Sequence, residues 1–349
     1  MGTAELDIDL NAIQANWRAL DARSAPHVET AACVKADAYG LGIHMVGGAL
    51  YSAGVRTFFI AVAEEGIELR DSIGDDARIF VFSGHQPGDA TDLVAERLIP
   101  CLNSPEQMYR HLDLCPGHPF ALQLDTGMNR LGFEPADWDV IRDEALSAGP
   151  ELVMSHLACA DEPEHPMNAT QLAAFRDMTD GIGVPRSLAA TGGTLLGEDY
   201  HFDMVRPGIG LYGGLPFDAA TPVVEVSVPV IQTRRVEAGE SVGYANAFVA
   251  EDDRVIATIA AGYADGLIRA AGQGGFKVFA GRTPCPVVGR VSMDLITVDV
   301  THLDTVPGHL TILSDQQTVD DYANAAGTIG YEVLTNLGHR YTRAYRGGA

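Results

Sequence analysis

The chain has 349 residues, more than a single hydrophobic core usually organises, so two domains are expected. Hydrophobic residues make up 46% and charged ones 20%, which excludes an intrinsically disordered chain. Forty-seven acidic residues against 23 basic ones give a net charge of −24 with no basic run. That argues against nucleic acid or an anionic membrane as a partner, because both require positive charge to displace counterions.

Short apolar runs and helix-like stretches alternate over the first two-thirds of the sequence. After an opening strand over 5–10, Ile13, Trp17 and Leu20 recur at helical spacing and predict a helix over 10–20. Strand-like runs follow at 31–34, 57–62, 79–82, 98–102, 120–124, 152–155, 187–190 and 204–211. A helix over 63–70 is expected to place Glu65, Glu68 and Arg70 on the surface. Eight strands alternating with helices predict a (β/α)8 TIM-type barrel over 8–221. From about Pro222 the texture becomes β-branched runs separated by Gly, Asp and Thr turns, at 223–233, 254–261, 277–280, 283–288, 295–300 and 310–313. They predict a mainly antiparallel β domain over 222–349, closed by a helix over 319–337, with residues 1–7 packing beside it.

Two lysines stand against twenty-one arginines. Lys35 lies where an apolar strand meets the turn Ala-Asp-Ala-Tyr-Gly, and only a primary amine condenses reversibly with an aldehyde, so a Schiff-base site is expected there. Lys277, in an alternating strand, reads as a solvated outward residue. On a barrel, chemistry belongs at the carboxyl ends of the strands. Arg130, His156, Thr191 and Arg206 all fall at such ends, followed by the backbone of Gly208 and Ile209. A lysine, two arginines, a histidine and glycine turns in one ring suit an anionic, aldehyde-bearing cofactor whose phosphate takes backbone N–H donors and the Thr191 hydroxyl. Taken singly, His156 reads equally well as a core histidine and Arg130 as a surface ion-pair partner. The five cysteines are odd in number and never form Cys-x-x-Cys, so neither a disulfide framework nor a metal site follows from their spacing. The N-terminus shows no basic region followed by an apolar run, and no segment reaches eighteen apolar residues, so a cytoplasmic protein is expected.

Five segments in order carry a resemblance: Val34-Lys-Ala-Asp-Ala-Tyr-Gly40, Asp125-Thr-Gly-Met-Asn-Arg-Leu-Gly132, Val205-Arg-Pro-Gly-Ile209, Gly262-Tyr-Ala-Asp-Gly266 and Val288-Gly-Arg-Val-Ser-Met-Asp294. The chain resembles the alanine racemases, which use pyridoxal 5′-phosphate (PLP) to interconvert L- and D-alanine. The resemblance implies that Lys35 carries the cofactor as a Schiff base and serves as one proton-transfer base, with Tyr263 as the other on the opposite face. It implies that Tyr39, Thr191, Gly208 and Ile209 hold the phosphate and that Arg206 faces the pyridine nitrogen. Arg130 and the Met293 backbone bind the substrate carboxylate, His156 supports the ring, and Asp294 counts among the catalytic residues. It further implies a head-to-tail homodimer with shared active sites. One base per face is the simple arrangement for racemisation.

Several positions depart from the family pattern. Gln123 replaces a frequently carbamylated lysine and offers Arg130 an amide instead of a negative charge. Ala190-Thr191 replaces Asn-Ser, Leu41 a histidine, His339 a tyrosine and Ala245 a glycine. Other readings are a broader serine/alanine racemase, a PLP-binding homeostasis protein, which resembles the barrel alone, a PLP decarboxylase and a Schiff-base aldolase. The decarboxylases place an acid where Arg206 stands, and a plain aldolase barrel leaves the second domain unexplained.

Overall fold

A computed structural model describes residues 4–348, which cluster into two compact units. One comprises residues 13–212 with 216–220, the other residues 4–12, 213–215 and 221–347. Among the described residues no helix is long and apolar enough to cross a membrane.

In the first unit seven parallel strands form one sheet in chain order: Ala32–Cys33, Thr57–Ile60, Arg78–Val81, Leu98–Leu102, Ala121–Gln123, Leu152–Met154 and Arg186–Ser187. Main-chain bonds then close the ring through Met204–Val205. On one side Asp203 N–H donates to the Arg186 carbonyl at 3.0 Å, and Arg206 N–H to that of Ala189 at 2.8 Å. On the other, Met204–Val205 pairs in parallel with Glu29–Thr30, and the N–H groups of Ala31 and Cys33 reach the Val205 and Pro207 carbonyls at 2.9 Å. The first strand is thus split into two pieces, each serving one neighbour, and the expected eight-stranded barrel is present. Helices such as Ala63–Arg70, Pro105–Leu114 and Pro166–Thr179 lie in the connections. Strand residues Phe58, Phe59 and Ile60 are all fully buried, as a parallel sheet covered on both faces requires.

The second unit is built on the long strand Val224–Val236, which pairs antiparallel with Glu5–Asp9, His309–Leu313 and Arg254–Ile259. A register shift near Val230 lets it leave one partner and join the next. Ile296–Asp299 extends the sheet beyond Arg254–Ile259, and the hairpin Lys277–Ala280/Thr283–Pro286 adds to the other side through Lys277–Ala280. Lys277 is exposed, as its alternating strand suggested.

Three expectations are corrected. The closing helix is two helices, Val319–Ala326 and Gly330–Asn336, because Gly327 at φ 74° terminates the first in a left-handed cap. Beyond them Thr342–Arg346 forms an unforeseen strand, parallel to Glu5–Asp9. The run at 204–211 ends as a strand at Val205 and turns into a tight helical turn over Ile209–Tyr212. Arg70 is buried, not on the surface: its guanidinium donates to the carbonyls of Gly74, Ala77, Glu96 and Arg97. Glu65 is half-buried and receives the Ala36 and Ala61 N–H groups, one on each oxygen, at 2.7 and 2.8 Å.

The Ala36 bond fixes the unusual feature of the fold. Ala36, Asp37, Ala38 and Tyr39 all occupy the left-handed helical region, with φ of 54°, 55°, 53° and 58°. Each costs an L-residue about 1–2 kcal/mol, and runs of this kind are normally avoided. The turn persists because its surroundings over-determine it. Asp37 Oδ1 takes the Ile43 N–H at 2.6 Å, Ala38 N–H donates to the Val34 carbonyl at 2.8 Å, and Tyr39 stacks on Tyr212 at 4.5 Å. Ala245 is also left-handed at φ 58°. Ala36 is exposed, and its N–H is held by Glu65. Glycine at this position sheds the steric cost while adding about 0.4–1 kcal/mol of unfolded-state entropy. Ala36→Gly is therefore expected to raise stability by about 0.5–1 kcal/mol. Urea midpoints at fixed protein concentration test this, and a lowered midpoint would show that the turn carries no strain.

Candidate functional site

The barrel unit brings most of the sequence-nominated residues to one rim. Lys35 follows the first strand directly and sits 5.7 Å from the centre of the Phe82 ring. Arg206 follows Met204–Val205 and is only 2% exposed. Its Nη1 donates to Ser187 Oγ at 2.5 Å and its Nη2 to the Ser155 carbonyl at 2.8 Å and more weakly to that of Leu188 at 3.5 Å. Three strand ends are thereby tied to one guanidinium. Among the described residues it forms no ion pair, so burial pushes its pKa down to about 10. It remains charged at neutral pH.

Beside it, Thr191 Oγ1 accepts the N–H groups of Gly208 at 3.0 Å and Gly210 at 3.3 Å. A hydroxyl has two lone pairs and one proton, so both acceptor sites are used and only its own donor remains. That buried donor meets no protein acceptor among the described residues. The Gly208 N–H is engaged by Thr191 and not left open, a refinement of its expected role. Glycine at 208 gives the Tyr39 hydroxyl its place: a Cβ there would stand 2.3 Å from Tyr39 Oη, which would have to shift. Tyr39 itself is held by Tyr212, whose hydroxyl donates to the Cys33 carbonyl at 3.0 Å. Ile209 is buried at the start of the helical turn that follows.

Arg130 lies in the loop after Ala121–Gln123, a loop shaped by Asp125. One carboxylate oxygen of Asp125 accepts the N–H groups of Gly127, Met128 and Asn129 at 2.8, 2.9 and 3.2 Å. Arg130 is exposed. Gln123 does not reach it; its amide donates weakly to the Leu131 carbonyl at 3.4 Å. His156 follows Leu152–Met154, and Gln171, fully buried on the next helix, holds its segment by donating to the His156 carbonyl at 2.9 Å and accepting from Ala158 N–H at 2.8 Å. Little in the sequence points to Gln171, which shares its buried helix face with Asn168, Phe175, Met178 and Thr179 and belongs to no motif. Burial, reinforced by Arg206, Arg130 and Lys35, pushes the His156 pKa down to about 3. The positive charge on this rim therefore belongs to Lys35, Arg130 and Arg206, not to an imidazolium.

The β unit carries Tyr263, Met293 and Asp294. Tyr263 is 43% exposed at the start of a tight turn. Its N–H donates to the Ser292 carbonyl at 3.1 Å, and that of Ala264 to the Met293 carbonyl at 2.9 Å, so the two signature segments are bonded side by side. Gly262 permits this approach, since a Cβ there would fall 2.3 Å from the Ser292 oxygen. Arg340 locks the pair: Nε meets Asp265 at 2.9 Å and Nη1 meets Asp294 at 2.7 Å. Asp265, buried and also accepting the Gly262 N–H at 2.8 Å, stands in the sequence only as a motif letter, and Arg340 belongs to no motif. His339 is exposed.

A base whose folded pKa is depressed contributes stability above its unfolded value, lost as pH falls toward the folded one. For His156 that window runs from about 6.5 down to about 3. Its ring resonances should accordingly stay those of a neutral imidazole from pH 5 to 8 in histidine-labelled protein. A titration midpoint between 6 and 7, absent in His156→Gln, would remove this assignment.

The family model for the alanine racemase N-terminal domain matches residues 8–216, and that for the alanine racemase C-terminal domain matches residues 223–345. The alanine racemases of Cereibacter sphaeroides and Dinoroseobacter shibae are 61% and 60% identical to the chain, covering 99% and 100% of it and 99% of each relative. The crystal structure of the Bartonella henselae alanine racemase with covalently bound pyridoxal phosphate superposes with a TM-score of 0.93 at 36% identity, covering 99% of this chain and 100% of that one. The biosynthetic enzyme from Pseudomonas aeruginosa gives 0.92 at 33%, with coverages of 99% and 100%. With its full length matched in sequence and in structure, the chain belongs to the alanine racemase family.

Proposed function

We propose that the chain interconverts L- and D-alanine with pyridoxal 5′-phosphate bound at the barrel rim, using Lys35 and Tyr263 as its two proton-transfer bases. The observation that carries this reading is the grouping of Lys35 with a buried, unpaired Arg206 and with the Thr191–Gly208 cradle. The residues present fit the cofactor. A phosphate suits the one donor left on Thr191, the Tyr39 hydroxyl above Gly208 and the start of the turn at Ile209. An anion also offsets a guanidinium that no carboxylate neutralises. When bound, the cofactor supplies an aldehyde for an amine and an electron-withdrawing ring that acidifies the substrate Cα–H.

Lys35 would hold that aldehyde through Nζ and, once released from it, move a proton at Cα on one face. Tyr263 would give or take the proton on the other through its phenol oxygen. Arg206, protonated at neutral pH, would donate a hydrogen bond to the ring nitrogen without surrendering its proton. Arg130 and the Met293 backbone would orient the substrate carboxylate. His156, neutral, would support the ring by packing. Asp294 would act through Arg340, which it shares with Asp265, to hold the Tyr263 and Met293 segments in register. We further propose that Tyr263 reaches its site from a second copy of the chain, giving a head-to-tail homodimer with shared sites.

Borohydride treatment of the holoenzyme should fix the pyridoxyl group to Lys35, and Lys35→Ala should lose at least about 1,000-fold in turnover. Tyr263→Phe should exchange the Cα–H of one alanine enantiomer with solvent deuterium while failing to racemise. Mixing unfolded Lys35→Ala and Tyr263→Phe chains and refolding them should restore up to about a quarter of wild-type activity, because half the random dimers hold one intact site. Label on Lys277, or exchange of both enantiomers at wild-type rates in Tyr263→Phe, would overturn the base assignment. No recovered activity in mixed dimers would overturn the shared site alone.

A further inference from the structure

A second cluster of chemically capable side chains lies in the barrel unit, apart from the residues placed in the reaction. His85 is in the loop after Arg78–Val81, His111 is on the helix Pro105–Leu114, and Cys115 follows that helix one turn on. The two histidines are fully buried and Cys115 is 3% exposed. One ring nitrogen from each histidine and the Cys115 sulfur lie within 4.8 Å of one another. The sequence alone showed no metal spacing because His85 comes from a different strand connection and His111-x-x-x-Cys115 is only half a motif.

The proton positions follow from the acceptors. His111 Nε2 is 3.2 Å from the His118 carbonyl, which can only accept, so His111 carries its proton on Nε2 and a lone pair on Nδ1. His85 Nδ1, 3.1 Å from that lone pair, must be the donor between the rings. The remaining nitrogen, His85 Nε2, then bears a bare lone pair, and it is buried without any hydrogen-bond partner. The two Nδ1 atoms thus face one another across 3.1 Å, and the proton held between them has a vacant place to go, His85 Nε2, if an ion takes both. Nearby, the Cys115 thiol has only a long contact of 4.0 Å to the Ala90 carbonyl.

We propose that His85, His111 and Cys115 form a binding site for a thiophilic d¹⁰ metal ion, Cu⁺ or Zn²⁺, held by two imidazole nitrogens and one thiolate. The 3.1 Å separation of the two Nδ1 atoms is close to the edge of a tetrahedron with bonds of about 2.0–2.1 Å. Closing the sulfur onto the ion takes at most about 1 Å of movement, within reach of a rotation about the Cys115 side chain. Binding releases the thiol proton to solvent, while the proton between the rings moves to His85 Nε2, the one ring nitrogen the ion leaves unprotonated. Cu⁺ with one thiolate leaves the buried site neutral, whereas Zn²⁺ leaves one positive charge, so Cu⁺ is expected to bind the tighter of the two.

The holoenzyme, stripped of metal with a chelator and dialysed against Zn²⁺ alone or against Cu⁺ under reducing anaerobic conditions, should retain one equivalent of metal per chain. Cys115→Ser and His85→Gln should each lose that equivalent while keeping wild-type alanine racemisation, which shows that they fold. Co²⁺ added to the wild-type chain should give a thiolate charge-transfer band in the near ultraviolet that is missing in Cys115→Ser. One equivalent of either ion, lost in both variants, supports the site and identifies which ion it prefers. Failure of the wild-type chain to retain either ion, or equal retention by the variants, overturns it.

Discussion

The site depends on a charge buried without an opposite charge. Arg206 sits 2% exposed among neutral acceptors, the Ser187 hydroxyl and the Ser155 and Leu188 carbonyls. Burying a guanidinium costs several kcal/mol even when its donors are satisfied, and a nearby carboxylate is the usual remedy. Among the described residues no carboxylate supplies it, and an anion at the rim would offset the charge. The same bonds have a mechanical effect. They anchor the ends of three neighbouring strands, Leu152–Met154, Arg186–Ser187 and Met204–Val205, to one planar group, which fixes the spacing of His156, Thr191 and Gly208 that follow them. Stability and site geometry are therefore set by one side chain.

The left-handed turn at 36–39 shows a similar exchange of local cost for position. A right-handed turn after Val34 would satisfy local preference but carry Tyr39 in another direction. As built, Tyr39 stacks on Tyr212 and rests against the bare face of Gly208, while Glu65 and Asp37 hold the backbone from either side. Strain of this kind survives only where surrounding bonds over-determine it. Finding it immediately after the one lysine at a barrel strand end links the backbone distortion to the amine it positions.

The sequence made the architecture legible because parallel-barrel strands are short, continuous apolar runs, and those are visible without knowing their partners. Lys277–Ala280 and Ala63–Arg70 lie where periodicity put them. What escaped were features decided by tertiary context. Arg70 looks like an ordinary helix-terminal cation, and only the fold shows four carbonyls converging on it. The strand Thr342–Arg346 owes its existence to Glu5–Asp9, more than three hundred residues away along the chain. Ala36 to Tyr39 contain no glycine, so nothing local announces a left-handed turn. At the site, charged residues at strand ends could be nominated from spacing. The groups that hold them, Gln171 for His156 and Arg340 for the Tyr263 turn, are separated from their clients by 15 and more residues and carry no motif of their own.

A net charge of −24 at first looks unsuited to a rim built around Lys35, Arg130 and Arg206. The two are reconciled by range. Exposed charges are screened over about 8–10 Å at physiological ionic strength, so the acidic surface acts weakly on anything already within the barrel mouth. The buried guanidinium, by contrast, acts in a low-dielectric setting where its field is little attenuated. An approaching zwitterion has no net charge and is neither steered nor repelled by the surface as a whole. Its carboxylate responds only once it is close to the rim cations. Acidic surface and cationic rim thus act over different ranges, and on the proposed function the rim can orient a substrate carboxylate without any weakening of the acidic surface.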